Sequence, residues 1–185
     1  MAIYARDAGV WKNVSGGEPT VANANFTNTA TGTYTDGDGV DWKYVTFTGT
    51  GSLVVDVAGE CSILVLGGGS GGDYAAYNGQ GGYSVYGTHQ ITAATHTITI
   101  GAGGPSGQTN PSTAGGTNST LGSLFTGFGA GVGQSLTNFD LSITGSLVTY
   151  AASRANFVTA NSGDGGNSEG NIAGSSGVVI LAVRV

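Results

Sequence analysis

Glycine narrows what this chain can become more than any other residue: it fills 36 of 185 positions and gathers in three blocks, at 67–82, 101–116 and 163–177. Three prolines in all and no strict three-residue period exclude collagen. Simple disorder is excluded as well, because disordered low-complexity chains lack β-branched and apolar runs. Here the glycines alternate with Ser62-Ile63-Leu64-Val65-Leu66 and Val178-Val179-Ile180-Leu181-Ala182-Val183. Glycine between such runs lets a backbone take positive φ or approach another backbone closely.

The rest of the composition fits one domain, or one domain with a small appended module. Only 9% of residues are charged, against about 25% in ordinary globular domains. The surface is therefore built of Thr, Ser, Asn and Gly, which suits work outside cells or contact with sugars. A net charge of −6 without any basic stripe makes nucleic acid an unexpected partner. Cys61 is the one cysteine and lies among apolar residues, so it reads as a small buried hydrophobe. The start of the chain has no leader-like succession, and no run approaches the ~18 apolar residues of a membrane span. Membrane insertion is not expected, and action outside a cell would follow lysis or transport within a particle.

Segments 3–6 and 10–14 flank Asp7-Ala8-Gly9, which predicts an N-terminal β-hairpin with Trp11 as its anchor. Polar residues 15–25 read as linker, and Asp36-Gly37-Asp38-Gly39 as a turn. Residues 41–48 alternate with period two, placing Trp42, Tyr44, Thr46 and Thr48 on one face and Lys43, Val45 and Phe47 on the other. Strands follow at 51–57 and 61–66, the second apolar enough to be buried on both faces. Residues 83–91 and 96–100, joined by Thr92-Ala93-Ala94-Thr95, read as a hairpin with Ile98 and Ile100 facing inward. Short strands are expected at 141–143 and 147–150, and a last one at 178–185. No segment has a helical period with caps. The fold class is thus all-β: a β-sandwich or jelly-roll-like domain with glycine-rich loops, preceded by the hairpin. The expected divisions are 1–15 as an attachment hairpin, 16–44 as linker and leading strand, and 45–185 as the glycine-rich domain.

Reactive constellations are scarce. Asp36, Asp38 and Asp41 surround two glycines, but their spacing fits no EF-hand or nonapeptide calcium repeat, and a solvated turn is the favoured reading. His89 and His96 fall on opposite arms of the expected hairpin and read as ordinary strand histidines. Gly67-Gly68-Gly69-Ser70-Gly71-Gly72 lacks the Gly-Lys-Ser/Thr ending and the following helix of a phosphate loop. No nucleophile elbow or paired carboxylates are present, so neither an enzyme, a cofactor nor a metal is expected. Tyr74, Tyr77 and Tyr83 amid glycine either pack back on the domain or present rings that stack on sugars or apolar surface. Phe125, Phe128 and Phe139 are expected in the core.

In order along the chain, Phe47-Thr48-Gly49-Thr50-Gly51, Ile63-Leu64-Val65-Leu66-Gly67-Gly68-Gly69, Gly81-Gly82-Tyr83, Thr97-Ile98-Thr99-Ile100-Gly101-Ala102-Gly103-Gly104, Gly115-Gly116-Thr117-Asn118-Ser119-Thr120-Leu121-Gly122-Ser123-Leu124 and Gly177-Val178-Val179-Ile180 resemble the glycine-rich domain of bacteriophage tail fibre and tail-tip proteins. The resemblance covers about residues 45–185. The opening Tyr4-Ala5-Arg6-Asp7-Ala8-Gly9-Val10-Trp11-Lys12-Asn13-Val14 looks like a short module at the start of phage virion proteins. The chain departs from the family where Ser70, Tyr74 and Tyr77 interrupt the glycine tract and where 134–157 carries ordinary residues. The resemblance implies a structural protein of the virion, in the tail fibre or receptor-binding apparatus, made in the host cytoplasm and acting by binding. Tyr4, Asp7, Gly9, Trp11 and Lys12 would attach it to other phage structural proteins. Asp73, Tyr74, Tyr77 and Asn110 would touch a host surface polysaccharide or outer-membrane protein. Homotrimerisation is expected from the family alone. The alternative is a purely architectural component, such as a head decoration or tail assembly protein without host contact. If the first residues only attach, a chain beginning near Gly16 folds with an unchanged melting curve but is not incorporated into particles; incorporation of a truncated chain that fails to fold would reverse this division of labour.

Overall fold

The computed structural model describes residues 4–7 and 10–13 as strands, and residues 21–72, 79–106, 115–131, 139–152, 159–166 and 172–185 in full. The fold is all-β, with no helix among the described residues. β1 (Tyr4–Asp7) and β2 (Val10–Asn13) form a separate antiparallel hairpin with Asp7 opposite Val10. β3 (Asn25–Phe26), β4 (Gly32–Thr35), β5 (Asp41–Phe47), β6 (Gly51–Val57), β7 (Gly59–Leu66), β8 (Ser84–Ile91), β9 (Ala94–Thr99), β10 (Ser119–Leu121), β11 (Phe125–Gly127), β12 (Phe139–Leu141), β13 (Val148–Tyr150) and β14 (Val178–Arg184) follow. Two five-stranded antiparallel sheets result, ordered β4-β5-β14-β7-β8 and β11-β10-β9-β6-β3, with β12 and β13 as a further pair.

The period-two patterns account for the layers. Leu53, Val55, Ile98, Leu121 and Phe26 from one sheet meet Val45, Ile63, Val65, Val179, Leu181 and Val183 from the other in the main core. β7 and β14 carry apolar residues on both faces, and beside those in the main core Leu64, Leu66, Val178, Ile180 and Ala182 form a second cluster beneath the β12–β13 pair. Each fully buried Val, Leu or Ile contributes about 1.5–3 kcal/mol, so these two doubly covered strands carry much of the fold.

The predicted hairpin at 83–100 is corrected by the topology. β8 belongs to the first sheet beside β7, and β9 to the second between β6 and β10. Only Ala58 separates β6 from β7, and only Thr92 and Ala93 separate β8 from β9. Val55 pairs with Ala94 and Gly59 with Ile91, so β6–β7 and β8–β9 are two arms of one long ribbon bent between the sheets. The register shifts by one residue across the bend, as an extra residue at a corner requires. Alternation identifies the buried face of each strand but carries no information on its partner. Phe128 is a second correction: it is 58% exposed, while Phe125 and Phe139 pack against the two clusters. The turn and linker region contributes more than expected, since Phe26 is buried in the core and β3 and β4 are edge strands.

Beyond the strand ends the glycine blocks pack together. Segment 67–72 leaves β7 and is surrounded by 79–83, 101–105, 115–118, 127–131, 163–166 and 172–177. Gly67 donates to Tyr83 O, Gly68 to Thr117 O, Gly69 to Ser175 O, and Ser70 returns to the first neighbour at Gln80 O, all at 2.9–3.1 Å. The carbonyls of Gly68, Gly69 and Ser70 accept from Ala130, Gly104 and Gly166, three further neighbours, at 2.8–2.9 Å. Donors that rotate among neighbours with a three-residue period, and none that bond within the segment, match the extended three-residue-per-turn backbone of polyproline II. The surrounding segments also bond to one another: Tyr83 to Phe128, Gly116 to Ala130, Thr117 to Ala102, Gly174 to Gly104, Ser175 to Asp164 and Gly82 to Gly163. The described parts of all three glycine blocks thus gather at one end of the sandwich.

Such packing leaves no space for a side chain at most of the bundle's glycines. A Cβ on Gly68 would overlap the Ala102 carbonyl, and one on Gly103 the Gly174 carbonyl. Gly68→Val and Gly103→Val should each lower unfolding free energy by at least about 2 kcal/mol in urea titrations. Gly49→Ala, whose new Cβ meets nothing within 4 Å, should change it by less than about 0.5 kcal/mol.

Candidate functional site

The residues expected to touch a receptor fall just beyond the bundle. Asp73, Tyr74 and Tyr77 lie at 73–78 and Asn110 at 107–114, outside the described residues. Their flanks are described. Gly72 N donates to Ile172 O at 3.0 Å and Gly79 N to Gly166 O at 2.6 Å, so the chain leaves and re-enters the bundle at one level for both 73–78 and 167–171. A Cβ on Gly71 would overlap the Pro105 carbonyl, which puts the start of the third connection at that level too. Three connections therefore depart from the end of the bundle farthest from the sheets. Tyr4, Asp7, Trp11 and Lys12 lie in the N-terminal hairpin, with Lys12 opposite Ala5 and Trp11 opposite Arg6, and Gly9 is outside the described residues.

A groove of ≈ 290 Å³ opens on the outer face of the first sheet, lined by Tyr34, Asp36, Trp42, Ser62, Thr88 and Ser142 among others. β4 and β5 build it: Tyr34 pairs with Trp42 in the ladder, and their rings stack with planes 2° apart and centroids 6.1 Å apart. The Asp36 carboxylate closes the turn between these strands. One oxygen accepts the Asp38 and Val40 N–H groups at 3.0 and 2.9 Å, and the other accepts the Trp42 indole N–H at 2.8 Å. These donors hold its carboxyl below the ordinary value of 3.8, the indole bond contributing most. Tyr34 is pushed above its ordinary value, first by burial and then by the nearby Asp36 charge. The Arg184 guanidinium stands 5.3 Å from the Trp42 ring.

The remaining candidates serve the fold. Asp41 accepts the Thr35 hydroxyl at 2.7 Å, and no three His, Cys, Asp or Glu side chains gather as metal ligands among the described residues. His89, in the first sheet, packs its ring on Phe125 of the second, while His96, in the second sheet, bonds the Thr92 carbonyl at 2.9 Å. Cys61 is buried, and burial, with Glu60 adding, pushes its thiol up to about 12, so it is no nucleophile at neutral pH. Asp164, only 3% exposed, accepts the Ala152 and Thr159 N–H groups at 2.9 and 3.1 Å and ties those two residues to the bundle. Sequence reasoning missed the Tyr34–Trp42–Asp36 groove, although the alternation at 41–48 already placed Trp42 and Tyr44 together on the face away from Val45.

Because the Asp36 carboxyl is lowered in the folded chain, its contribution to stability is present above the unfolded carboxylate value and fades as pH falls through the folded one. Asp36→Asn should accordingly be less stable than the parent at pH 7, with the gap narrowing below pH 3.8; urea titrations across that range check it, and a gap independent of pH would contradict it. Compared with protein-family models, curated proteins and solved structures, the chain finds no match.

Proposed function

We propose that this chain is a non-catalytic structural protein of a bacteriophage virion, part of the tail fibre or receptor-binding apparatus, and that it works by contact with the host surface. The observation that carries this reading is the glycine bundle, a rigid end with almost no side chains of its own, from which the connections holding Asp73, Tyr74, Tyr77 and Asn110 depart. A platform of this kind fixes the ends of several connections while leaving their sequences free to vary, which is the division that recognition by loops on a scaffold requires. The separate β1–β2 hairpin supports attachment to neighbouring virion proteins through Tyr4, Asp7, Gly9, Trp11 and Lys12. A homotrimeric assembly belongs to the same reading. The nature of the surface residues agrees with it: few charges, many hydroxyls and amides, and loop tyrosines suited to stacking on sugars.

Replacing both Tyr74 and Tyr77 with Ala should leave unfolding free energy within about 0.5 kcal/mol of the parent and slow adsorption of particles to host cells by about tenfold. Unchanged adsorption with the protein present in the particle would favour a purely architectural component instead.

A further inference from the structure

A second surface, on the flank of the sandwich, has the make-up of a ligand site. Val45 and Phe47 turn toward the main core, so period two leaves Trp42, Tyr44, Thr46 and Thr48 on the opposite face of β5. The groove at Trp42 is one end of this row. At the other end Tyr44, Thr46 and Thr48 line a second cavity of ≈ 300 Å³ together with Tyr150 and Thr159. From Trp42 to Thr48 the row spans about 20 Å of extended chain. Ile143 borders the first cavity and Thr144 the second, so the turn after β12 sits between them. Gly145 rests against the Tyr34 ring and fixes this turn on the sheet face.

The chemistry of the row selects its occupant. Aromatic rings offer flat apolar faces, and hydroxyls both donate and accept. Asp36 has two oxygens with about four lone-pair sites, of which three N–H donors take three. Hydrogen bonding along the row comes from side chains on a sheet face, not from a bare strand edge, which disfavours an added peptide strand. Asp36 disfavours an anion, and the Arg184 guanidinium lies on the Trp42 ring. A ligand with alternating apolar faces and hydroxyls, and no charge, fits each of these features.

We propose that the outer face of β5 is a trough in two parts, one at Trp42 and one from Tyr44 to Thr48 with the turn after β12 between them, and that each part takes sugar units of an uncharged oligosaccharide. The proposal rests on the reading of the chain as a binding protein and adds to it a ligand class and a surface separate from the glycine bundle. The full chain, labelled with ¹⁵N, is titrated with maltotetraose, chitotetraose and mannotetraose, and with tetragalacturonate as the acidic counterpart. At least one neutral probe should produce saturable shifts at the Trp42 indole N–H and the β5 amides. Thr46→Val combined with Thr48→Val keeps side-chain shape, should leave the spectrum folded, and should weaken that binding by about tenfold. Absence of saturable shifts with every neutral probe, shifts confined to other elements, or tighter binding of tetragalacturonate than of any neutral probe would overturn the trough. Adsorption of particles carrying the same double substitution separates the two readings: lost sugar binding with full adsorption leaves the trough in place and removes its part in host contact.

Discussion

Pairing of buried backbone groups mainly with one another, with few side chains to help, is the constraint on which this molecule depends. A buried N–H or C=O left without a partner costs free energy comparable to a lost hydrogen bond, and segment 67–72 is buried throughout. It has neither a sheet neighbour nor a helix to satisfy it. Instead its groups reach six surrounding segments in turn, which is possible only because the absence of Cβ atoms lets the chains approach to hydrogen-bonding distance. Glycine loses more conformational entropy on ordering than any other residue, and the network of bonds around each segment is what offsets that cost.

The sandwich and the bundle hold each other in place. β7 runs directly into the central segment, and β14 is entered from the outer segment 172–177. These are the two strands covered on both faces, by the main core on one side and by Ile143, Tyr150 and Ala151 on the other. The bundle is therefore a continuation of the best-buried part of the fold. Buried polar side chains reinforce the junction: Ser70 Oγ accepts the Gln80 N–H at 2.8 Å, Ser119 Oγ accepts the Gly101 N–H at 2.9 Å, and Ser175 Oγ accepts the Asp164 N–H at 2.8 Å. A scaffold fixed in this way lets the connections at its far end, and the trough on its flank, be tuned without disturbing the core.

How much of this was legible in the sequence follows from what each pattern encodes. The run at 61–66 announced a strand buried on both faces, because Ser62 is its one polar residue and Ile63 to Leu66 show no alternation; 178–183 announced a strand, and the structure buries it on both faces as well. The alternation at 41–48 assigned faces correctly, since period two is a property of one strand. Partnership is a property of two, and this is why 83–100 read as a hairpin while β8 and β9 lie in different sheets. Glycine blocks signalled close approach, yet composition alone does not give the ring of neighbours around 67–72, which depends on where five other strands end. The Tyr34–Trp42–Asp36 groove is not legible in that way, because Asp36 sits in a turn and its indole partner lies six residues on in the neighbouring strand.

Native-state amide hydrogen exchange tests the central claim, that the glycine segments are a structural core and not surface loops. Exchange of a group opened only by global unfolding reports the full stability of the domain, whereas loop amides exchange through small local openings. The amides of Gly67, Gly68, Gly69 and Ser70 should be protected to the same degree as those of Ile63, Leu64 and Val65 in β7, and should respond to denaturant with the same slope. Protection of the glycine amides lower by orders of magnitude, with a slope near zero, would contradict the account and make the bundle a set of loops resting on the sandwich.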